Sequence, residues 1–169
     1  SRDIYDGIRP ATSSDLPGIM EIIAPLVLEG ILVERPRDQL EKEIGNFFVY
    51  TRDGACVACA YIKRYGSEHA EVGCLAVSAV YRKGGRGEAL LGYLERVAVA
   101  SGVTKVFVLS TRTMQWFVER GFRETPVEAL PESRRLCYNW ERKSKVYMKE
   151  LHSAREIDAE ELFWNIDSD

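Results

Sequence analysis

Along the chain, apolar residues either alternate with polar ones or recur every three to four positions, and each period predicts one kind of element. Residues 4–11 have the pattern of a strand. A helix is predicted to begin near Thr12, since the apolar positions that follow it share one helical face: Ile19, Ile22, Ile23, Leu26 and Val27. Pro25 is expected to kink this helix or end it early. A short polar helix is predicted over residues 37–45.

A hairpin is predicted next. Residues 47–52 and 55–62 are strand-like and are joined by Asp53-Gly54, the dipeptide that favours a two-residue hairpin turn. Residues 72–80 are apolar or small and carry no charge, as expected of a strand buried on both faces.

The second half continues with a helix at 88–100, a strand at 105–110, a helix at 113–120, a strand at 122–127, a turn or short helix at 130–133 and a strand at 144–151. Hairpins therefore precede a single strand–helix–strand crossover, which predicts an α/β (α+β) domain with a mixed sheet. A ligand of such a sheet is expected where the ends of residues 72–80 and 105–110 diverge.

Composition fits one globular domain at residues 1–151, followed by an acidic tail at 152–169. The formal charge of −3 argues against general nucleic-acid binding. No apolar run reaches the roughly 18 residues of a membrane span, and no signal peptide is evident. A cytoplasmic or organelle-matrix location is expected. Cys56 and Cys59 have the spacing of half a metal site, but strand residues three apart face opposite sides, so buried thiols and no metal are predicted.

A basic glycine-rich turn, Arg82-Lys-Gly-Gly-Arg-Gly87, separates the apolar strand from the following helix. Such a turn offers free N–H groups and a helix N-terminus to a phosphate. It is not a Walker loop, because Glu88 follows Gly87, and its glycine spacing does not fit a dinucleotide fingerprint. A plain surface turn is the alternative.

The Arg-x-x-Gly-x-Gly pattern and the order of elements resemble the GNAT superfamily of acetyl-CoA-dependent N-acetyltransferases. Residues 109–122, 130–135 and 138–146 resemble the acetyltransferase domain of the N-acetylglutamate synthase family, and the resemblance covers roughly residues 5–151. It implies a GNAT fold, with a mostly antiparallel sheet, a parallel central strand pair and flanking helices. Many members carry an N-terminal amino-acid-kinase-like domain, so a missing domain or a homo-oligomer is among the expectations.

By this resemblance, acetyl-CoA is the co-substrate and L-glutamate the acceptor. The positions that match the acetyl-CoA site are Leu75, Ala76, Val77, Arg82, Lys83, Gly84, Gly85, Arg86, Gly87 and Glu88. The positions that match the glutamate site are Arg35, Cys74, Arg142 and Ser144. Arginine suits a substrate with two carboxylates because its planar fork donates two parallel hydrogen bonds. Arg112 is a weaker substitute.

The resemblance also implies catalytic residues. Glu71 matches the base that takes the ammonium proton. Many members place a tyrosine acid where this chain has Phe117, so Ser110 is the candidate acid, with Tyr138 or solvent as alternatives. The implied reaction is direct acetyl transfer to the α-amine of L-glutamate, the first step of arginine biosynthesis. Transfer to another amine and a non-catalytic acyl-CoA-binding role are the alternatives. A covalent intermediate on Cys74 is disfavoured by its apolar surroundings.

Overall fold

The computed structural model describes residues 7–152. The strands are β1 (Gly7–Pro10), β2 (Phe47–Arg52), β3 (Ala55–Tyr65), β4 (His69–Val77), β5 (Lys105–Ser110), β6 (Arg123–Thr125) and β7 (Lys145–Glu150). The α-helices are α1 (Leu16–Leu28), α2 (Arg37–Glu43), α3 (Arg86–Ala100), α4 (Gln115–Val118) and α5 (Glu132–Arg135). The seven strands form one sheet in the order β1-β2-β3-β4-β5-β7-β6.

Within this sheet the central pair, β4 and β5, is parallel, and the other neighbouring pairs among the described strands are antiparallel. This confirms the predicted mixed architecture. The hairpin turn is also confirmed, because Asp53 and Gly54 both have the positive φ angles, 51° and 78°, that a twisted two-residue turn requires. The predicted tail lies outside the described residues, except for His152.

Helix α1 continues three residues beyond Pro25, so the prediction of an early end is wrong. Proline removes one backbone donor, which leaves the carbonyl of Glu21 without its helical bond. Glu21 and Pro25 are both exposed, so water can satisfy that carbonyl. On the opposite face Ile19 and Ile23 are buried against the sheet and hold the helix in place.

Two apolar layers enclose the sheet. On one face, Leu16, Ile19 and Ile23 of α1 pack with Phe47, Val49 and Tyr61. On the other face, Leu90, Leu91 and Leu94 of α3 pack with Ala58, Val72 and Val106. Burying each large aliphatic side chain contributes about 1.5–3 kcal/mol, so these layers fix α1 and α3 to the strands that border the site.

Strand β4 contains an irregularity near Cys74. Its pairing with β3 gains one residue between Gly73 and Ala76, and Cys74 has a φ of 49°. The extra residue is a β-bulge, which reverses the faces of the residues beyond it. Ala70 and Val72 therefore pack on the α3 side, whereas Cys74 and Ala76 pack on the α1 side.

The expectation that this strand is buried on both faces is wrong. Buried and half-buried residues alternate along β4, and the half-buried set is His69, Glu71, Gly73, Leu75 and Val77. Most of these half-buried residues border the cavities described below instead of a closed core. The strand also ends at Val77, and a 3-10 turn at Ala79–Gly84 precedes α3, which begins two residues earlier than predicted.

Strands β4 and β5 pair only from His69 to Glu71 and from Lys105 to Phe107. Beyond these residues the two strands separate, while β5 stays paired with β7 along its whole length. The resulting gap lies where the sequence predicted a ligand. Within the described part of the chain, no helix has both the length and the apolar character that a membrane span requires.

Candidate active site

Two cavities meet where β4 and β5 separate. The first, of about 450 Å³, extends from the loop after α1 to the segment before β7. The second, of about 370 Å³, lies beside the glycine-rich turn. Leu75, Met114 and Phe117 line both cavities. A ligand lying in the second cavity can therefore present one end to a ligand in the first.

The glycine-rich turn gives the second cavity a phosphate-binding character. Gly85, with a φ of +70°, is the N-cap of α3. The first-turn N–H groups of a helix have no partner within the helix, and the helix dipole adds attraction for an anion. A Cβ at Gly87 would contact Val77 at 3.4 Å and Trp116 at 3.7 Å, so glycine leaves more of the second cavity open than a larger residue would.

Most residues predicted to hold acetyl-CoA line this second cavity: Leu75, Val77, Arg82, Gly85, Gly87 and Glu88. The structure places four others differently. Ala76 is buried on the α1 side, and Lys83 is exposed to solvent. Arg86 bends back over the ring of Tyr81, at 5.1 Å, and a Cβ at Gly84 would collide with its guanidinium. Arg86 and Gly84 thus shape the turn instead of lining the cavity.

Besides Met114 and Phe117, two further residues of the second cavity are absent from the predicted site residues. Trp116 and Arg120 line it, with the Arg120 guanidinium 3.9 Å from the centre of the indole. Arg120 Nε lies 3.5 Å from Glu88 Oε1, at the start of α3. The region around α4 therefore forms the wall opposite the glycine-rich turn. Local sequence does not indicate this wall, because it depends on the packing of the α4 region against the start of α3.

The first cavity gathers the other predicted site residues: Arg35, Glu71, Cys74, Ser110, Arg142 and Ser144. Arg35 precedes α2, and its guanidinium stacks on the ring of Tyr61 at 4.6 Å. Its Nη1 lies 3.8 Å from Glu43 Oε2, too far for a hydrogen bond, and has no hydrogen-bond partner among the described residues. Arg35 therefore keeps donors for a carboxylate that enters the cavity.

Arg112 and Arg142 reach from the β5–β7 half of the molecule to the end of α1. Arg112 Nη2 donates to the carbonyl of Glu29 at 2.7 Å, and Arg142 Nη2 donates to the carbonyls of Ile31 and Gly30 at 3.3 and 3.5 Å. Cations are favourable at a helix C-terminus, where carbonyls lack helical partners. We call these two arginines and the carbonyls of residues 29–31 the arginine clamp. It joins the two halves of the sheet across the gap.

The sequence model of the Acetyltransferase (GNAT) family matches residues 16–122. The chain belongs to the GNAT acetyltransferase family. Among curated relatives, the amino-acid acetyltransferase of Mannheimia succiniciproducens is 46% identical over 153 residues, which are 90% of this chain and 35% of the relative. The amino-acid acetyltransferase of Escherichia coli (strain K12) is 47% identical over 145 residues, 85% of this chain and 33% of the relative.

Solved structures agree with this assignment. The N-acetylglutamate synthase from Neisseria gonorrhoeae, complexed with coenzyme A and N-acetyl-glutamate, superposes with a TM-score of 0.82 at 40% identity, over 86% of this chain and 35% of that chain. Rv2747 from Mycobacterium tuberculosis has the same fold, with a TM-score of 0.73 at 22% identity over 86% of this chain. The chain spans about a third of the length of the curated relatives named above, 35% and 33%.

The catalytic candidates of this GNAT domain lie at the border of the first cavity. Glu71 Oε1 accepts a hydrogen bond of 2.6 Å from Arg134 Nε. Ser110 is buried, and its Oγ accepts the N–H of Arg112 at 3.1 Å, so its own proton remains available to a ligand. The Tyr138 hydroxyl donates to the carbonyl of Ser144, which makes Tyr138 a weaker candidate for the acid.

Three of the four cysteines, Cys56, Cys59 and Cys74, are not arranged for nucleophilic catalysis. Burial raises the pKa of the Cys74 thiol, and the nearby positive charge of Arg35 does not offset this. Burial also raises the pKa of Cys59, and it raises that of Cys56 to about 11. The reactive form of a thiol is the thiolate, so a protonated Cys74 is a poor acyl acceptor. The geometry therefore favours direct transfer between two bound substrates.

Proposed function

We propose that this GNAT domain transfers the acetyl group of acetyl-CoA to the α-amine of L-glutamate, giving N-acetyl-L-glutamate and CoA. The observation that carries the proposal is the junction of two cavities, one beside a glycine-rich helix start and one lined by Arg35 and Arg142. The names of the related amino-acid acetyltransferases, and a related synthase that binds coenzyme A and N-acetyl-glutamate, support it.

Recognition of glutamate follows from the charges of the first cavity. The substrate carries two carboxylates, and guanidinium groups bind carboxylates through paired, charge-assisted hydrogen bonds. Arg35 and Arg142 come from different loops, so one can hold each carboxylate, with Ser144 beside Arg142 in sequence and in the cavity wall. A polycationic amine would meet like charges at both arginines. A dicarboxylic amino acid is the substrate class that fits best.

The reaction needs a base, an attack and a leaving group. The α-ammonium of glutamate gives a proton to Glu71, and the free amine attacks the thioester carbonyl carbon. A carbon–nitrogen bond forms, the carbon–sulfur bond breaks, and the second proton of the nitrogen passes through Ser110 or water to the leaving CoA thiolate. Leu75 and Val77 line the second cavity, and the family resemblance assigns their backbone N–H groups to the thioester, where each donor to the developing oxyanion would contribute about 3 kcal/mol, as in studied enzymes.

A thiol-release assay tests the function. Acetyl-CoA is supplied with L-glutamate, D-glutamate, L-aspartate, L-glutamine, spermidine or an α-amino peptide, and the acetylated product is identified by mass spectrometry. We expect release that depends on L-glutamate. Release with spermidine or peptide alone would assign a different amine, and acetyl-CoA binding without release for any amine would make the chain a non-catalytic acyl-CoA-binding domain.

The domain is also inferred to act as part of a longer protein or a homo-oligomer. It covers only about a third, 35% and 33%, of the curated relatives named above, and the resemblance described for its sequence includes an amino-acid-kinase-like domain in many members. Light scattering of this chain, alone and mixed with a separately produced kinase-like domain of a relative, tests the inference. A monomer that binds no such domain would contradict it.

A further inference from the structure

The contact between Glu71 and Arg134 is short and largely shielded from water. Arg134 Nε donates to Glu71 Oε1 at 2.6 Å, and the two side chains are 16% and 13% exposed. Both residues line the first cavity. Glu71 is the last residue of β4 that pairs with β5, so the contact lies where the two strands separate.

Arg134 is held by a segment with its own apolar anchors. It lies in α5, and Leu130 and Tyr138 on either side of α5 are buried in a cluster with Phe107 and Val146. The N–H of Arg134 donates to the carbonyl of Pro131 at 2.9 Å, which closes the turn that carries it. The guanidinium therefore reaches Glu71 from a fixed backbone.

The bond engages one atom of each partner. Arg134 uses Nε and Glu71 uses Oε1, so Glu71 Oε2 is available to an incoming ammonium group. The pairing thus fixes one oxygen of the base and leaves the second oxygen for the proton.

Other ionisable groups face Glu71 from the neighbouring elements. Lys63 lies directly opposite on β3, and its Nζ is 5.1 Å from the ring of Tyr65, which the Arg134 guanidinium approaches at 5.9 Å. On β4 itself, His69 lies two residues away, and burial together with Lys105 lowers its pKa. The negative charge of Glu71 contributes to raising the pKa of Cys74, which lies beyond Gly73 on the same strand. Arg134 is the group among these with a direct bond to the carboxylate.

We propose that Arg134 is a positioning residue of this enzyme, which orients the Glu71 carboxylate so that Oε2 accepts the proton of the substrate ammonium. The proposal rests on the proposed function, in that it assigns Glu71 the role of base. It assigns Arg134 no contact with either substrate.

The test compares Arg134→Gln and Arg134→Lys with the wild type and with Arg135→Gln. Arg135 lies in the same helix and is exposed, and its side chain donates to the carbonyl of Glu128 at 3.4 Å, so Arg135→Gln is a matched loss of charge. The kinetic constants kcat and KM are measured for both substrates. His69→Gln and Lys63→Gln are run in parallel to identify any contribution of those groups to catalysis.

For Arg134→Gln we expect kcat to fall roughly 10- to 100-fold, the order of loss that follows displacement of a reacting group, with a smaller change in either KM. Arg134→Lys keeps a positively charged donor but not the planar guanidinium, so kcat should recover only in part. Arg135→Gln should match the wild type.

A double-mutant cycle completes the test. If Arg134 acts through Glu71, adding Arg134→Gln to Glu71→Gln should cost little further activity. Additive losses, a lower melting temperature with unchanged kcat, or a rise in the KM of glutamate alone would each overturn the proposal. Should Arg134→Gln fail to fold, wild-type kcat in Arg134→Lys would overturn it.

The outcome separates the two proposals. If the wild type acetylates an amine other than glutamate, the proposed function fails and the same comparison is made with that amine. If the wild type acetylates no amine, both proposals fail.

Discussion

At the level of single residues, Arg35 depends on two neighbours for its position. The ring of Tyr61 supports the guanidinium, and Glu43 lies close to Nη1 without a hydrogen bond. Arg35 Nη1 and Glu43 Oε1 are both buried without a hydrogen-bond partner among the described residues, which is costly in free energy. That Arg35 binds glutamate is the prediction that follows from its place in the wall of the first cavity.

We predict that Arg35→Lys raises the KM of glutamate by about 10- to 100-fold, the equivalent of one or two charge-assisted hydrogen bonds. The KM of acetyl-CoA should stay close to the wild-type value, because the second cavity does not include Arg35. Arg37→Lys is the control, since Arg37 is exposed on α2 and pairs with Glu41. Steady-state kinetics with both substrates check the prediction, and equal changes in the two variants would contradict it.

The sequence predicted single residues well where family resemblance could be used and poorly where long-range packing decides. Arg35, Glu71, Ser110 and Arg142 were expected in one site, and the structure brings them to one cavity. The role of Arg134 was not foreseen, because its partner is 63 residues away in sequence and nothing local indicates the pairing. How these residues act in catalysis stays a prediction.

At the level of elements, the order of helices and strands followed from the hydrophobic periods, and the exceptions have local causes. Helix α1 passes Pro25 because the freed carbonyl faces water. The prediction that the central strand is buried on both faces was wrong, because residues that line a cavity can be as apolar as residues of a core. The bulge at Cys74 could not be predicted, since only the pairing with β3 shows the extra residue.

The arginine clamp gives an element-level prediction. In Arg112→Ala, the end of α1 loses the 2.7 Å bond to the Glu29 carbonyl, so amides of residues 29–33 should exchange faster with deuterium. The KM of glutamate should rise several-fold because Arg142, which contacts the same loop, is less well placed. Arg123→Ala on β6, also exposed, is the control. Unchanged exchange at these amides in Arg112→Ala would show that Arg142 alone holds the loop.

At the level of the whole molecule, the sheet consists of two halves that share only a short parallel pairing. The first half, β1 to β4, carries α1 and the glycine-rich turn, and the second half carries α4 and β7. Leu75 from the first half and Phe117 from the second line both cavities. A bound acetyl-CoA would therefore contact both halves and should stabilise the domain as a unit.

We predict that acetyl-CoA at about 100 times its dissociation constant adds about 2.7 kcal/mol of stability and raises the melting temperature by roughly 5–10 °C. Gly85→Glu should abolish this shift by placing a carboxylate in the second cavity. Gly66→Glu is the control, because Gly66 also has a positive φ, 72°, but lies in the β3–β4 turn. Differential scanning fluorimetry and calorimetry check both variants, and a shift in Gly85→Glu equal to the wild type would exclude the turn from the site.

The bulge of β4 has a consequence for redesign. Deleting Cys74 would remove a residue with an unfavourable backbone angle and restore an unbroken ladder with β3. The residues after it would keep their partners on β3, with Ala76 opposite Cys59 and Val77 opposite Ala58, but the first cavity would lose Cys74 from its wall and the backbone distortion beside Leu75 would disappear. A redesign that selects for thermal stability alone would favour this deletion, so residues 73–76 should be kept unchanged when the domain is engineered.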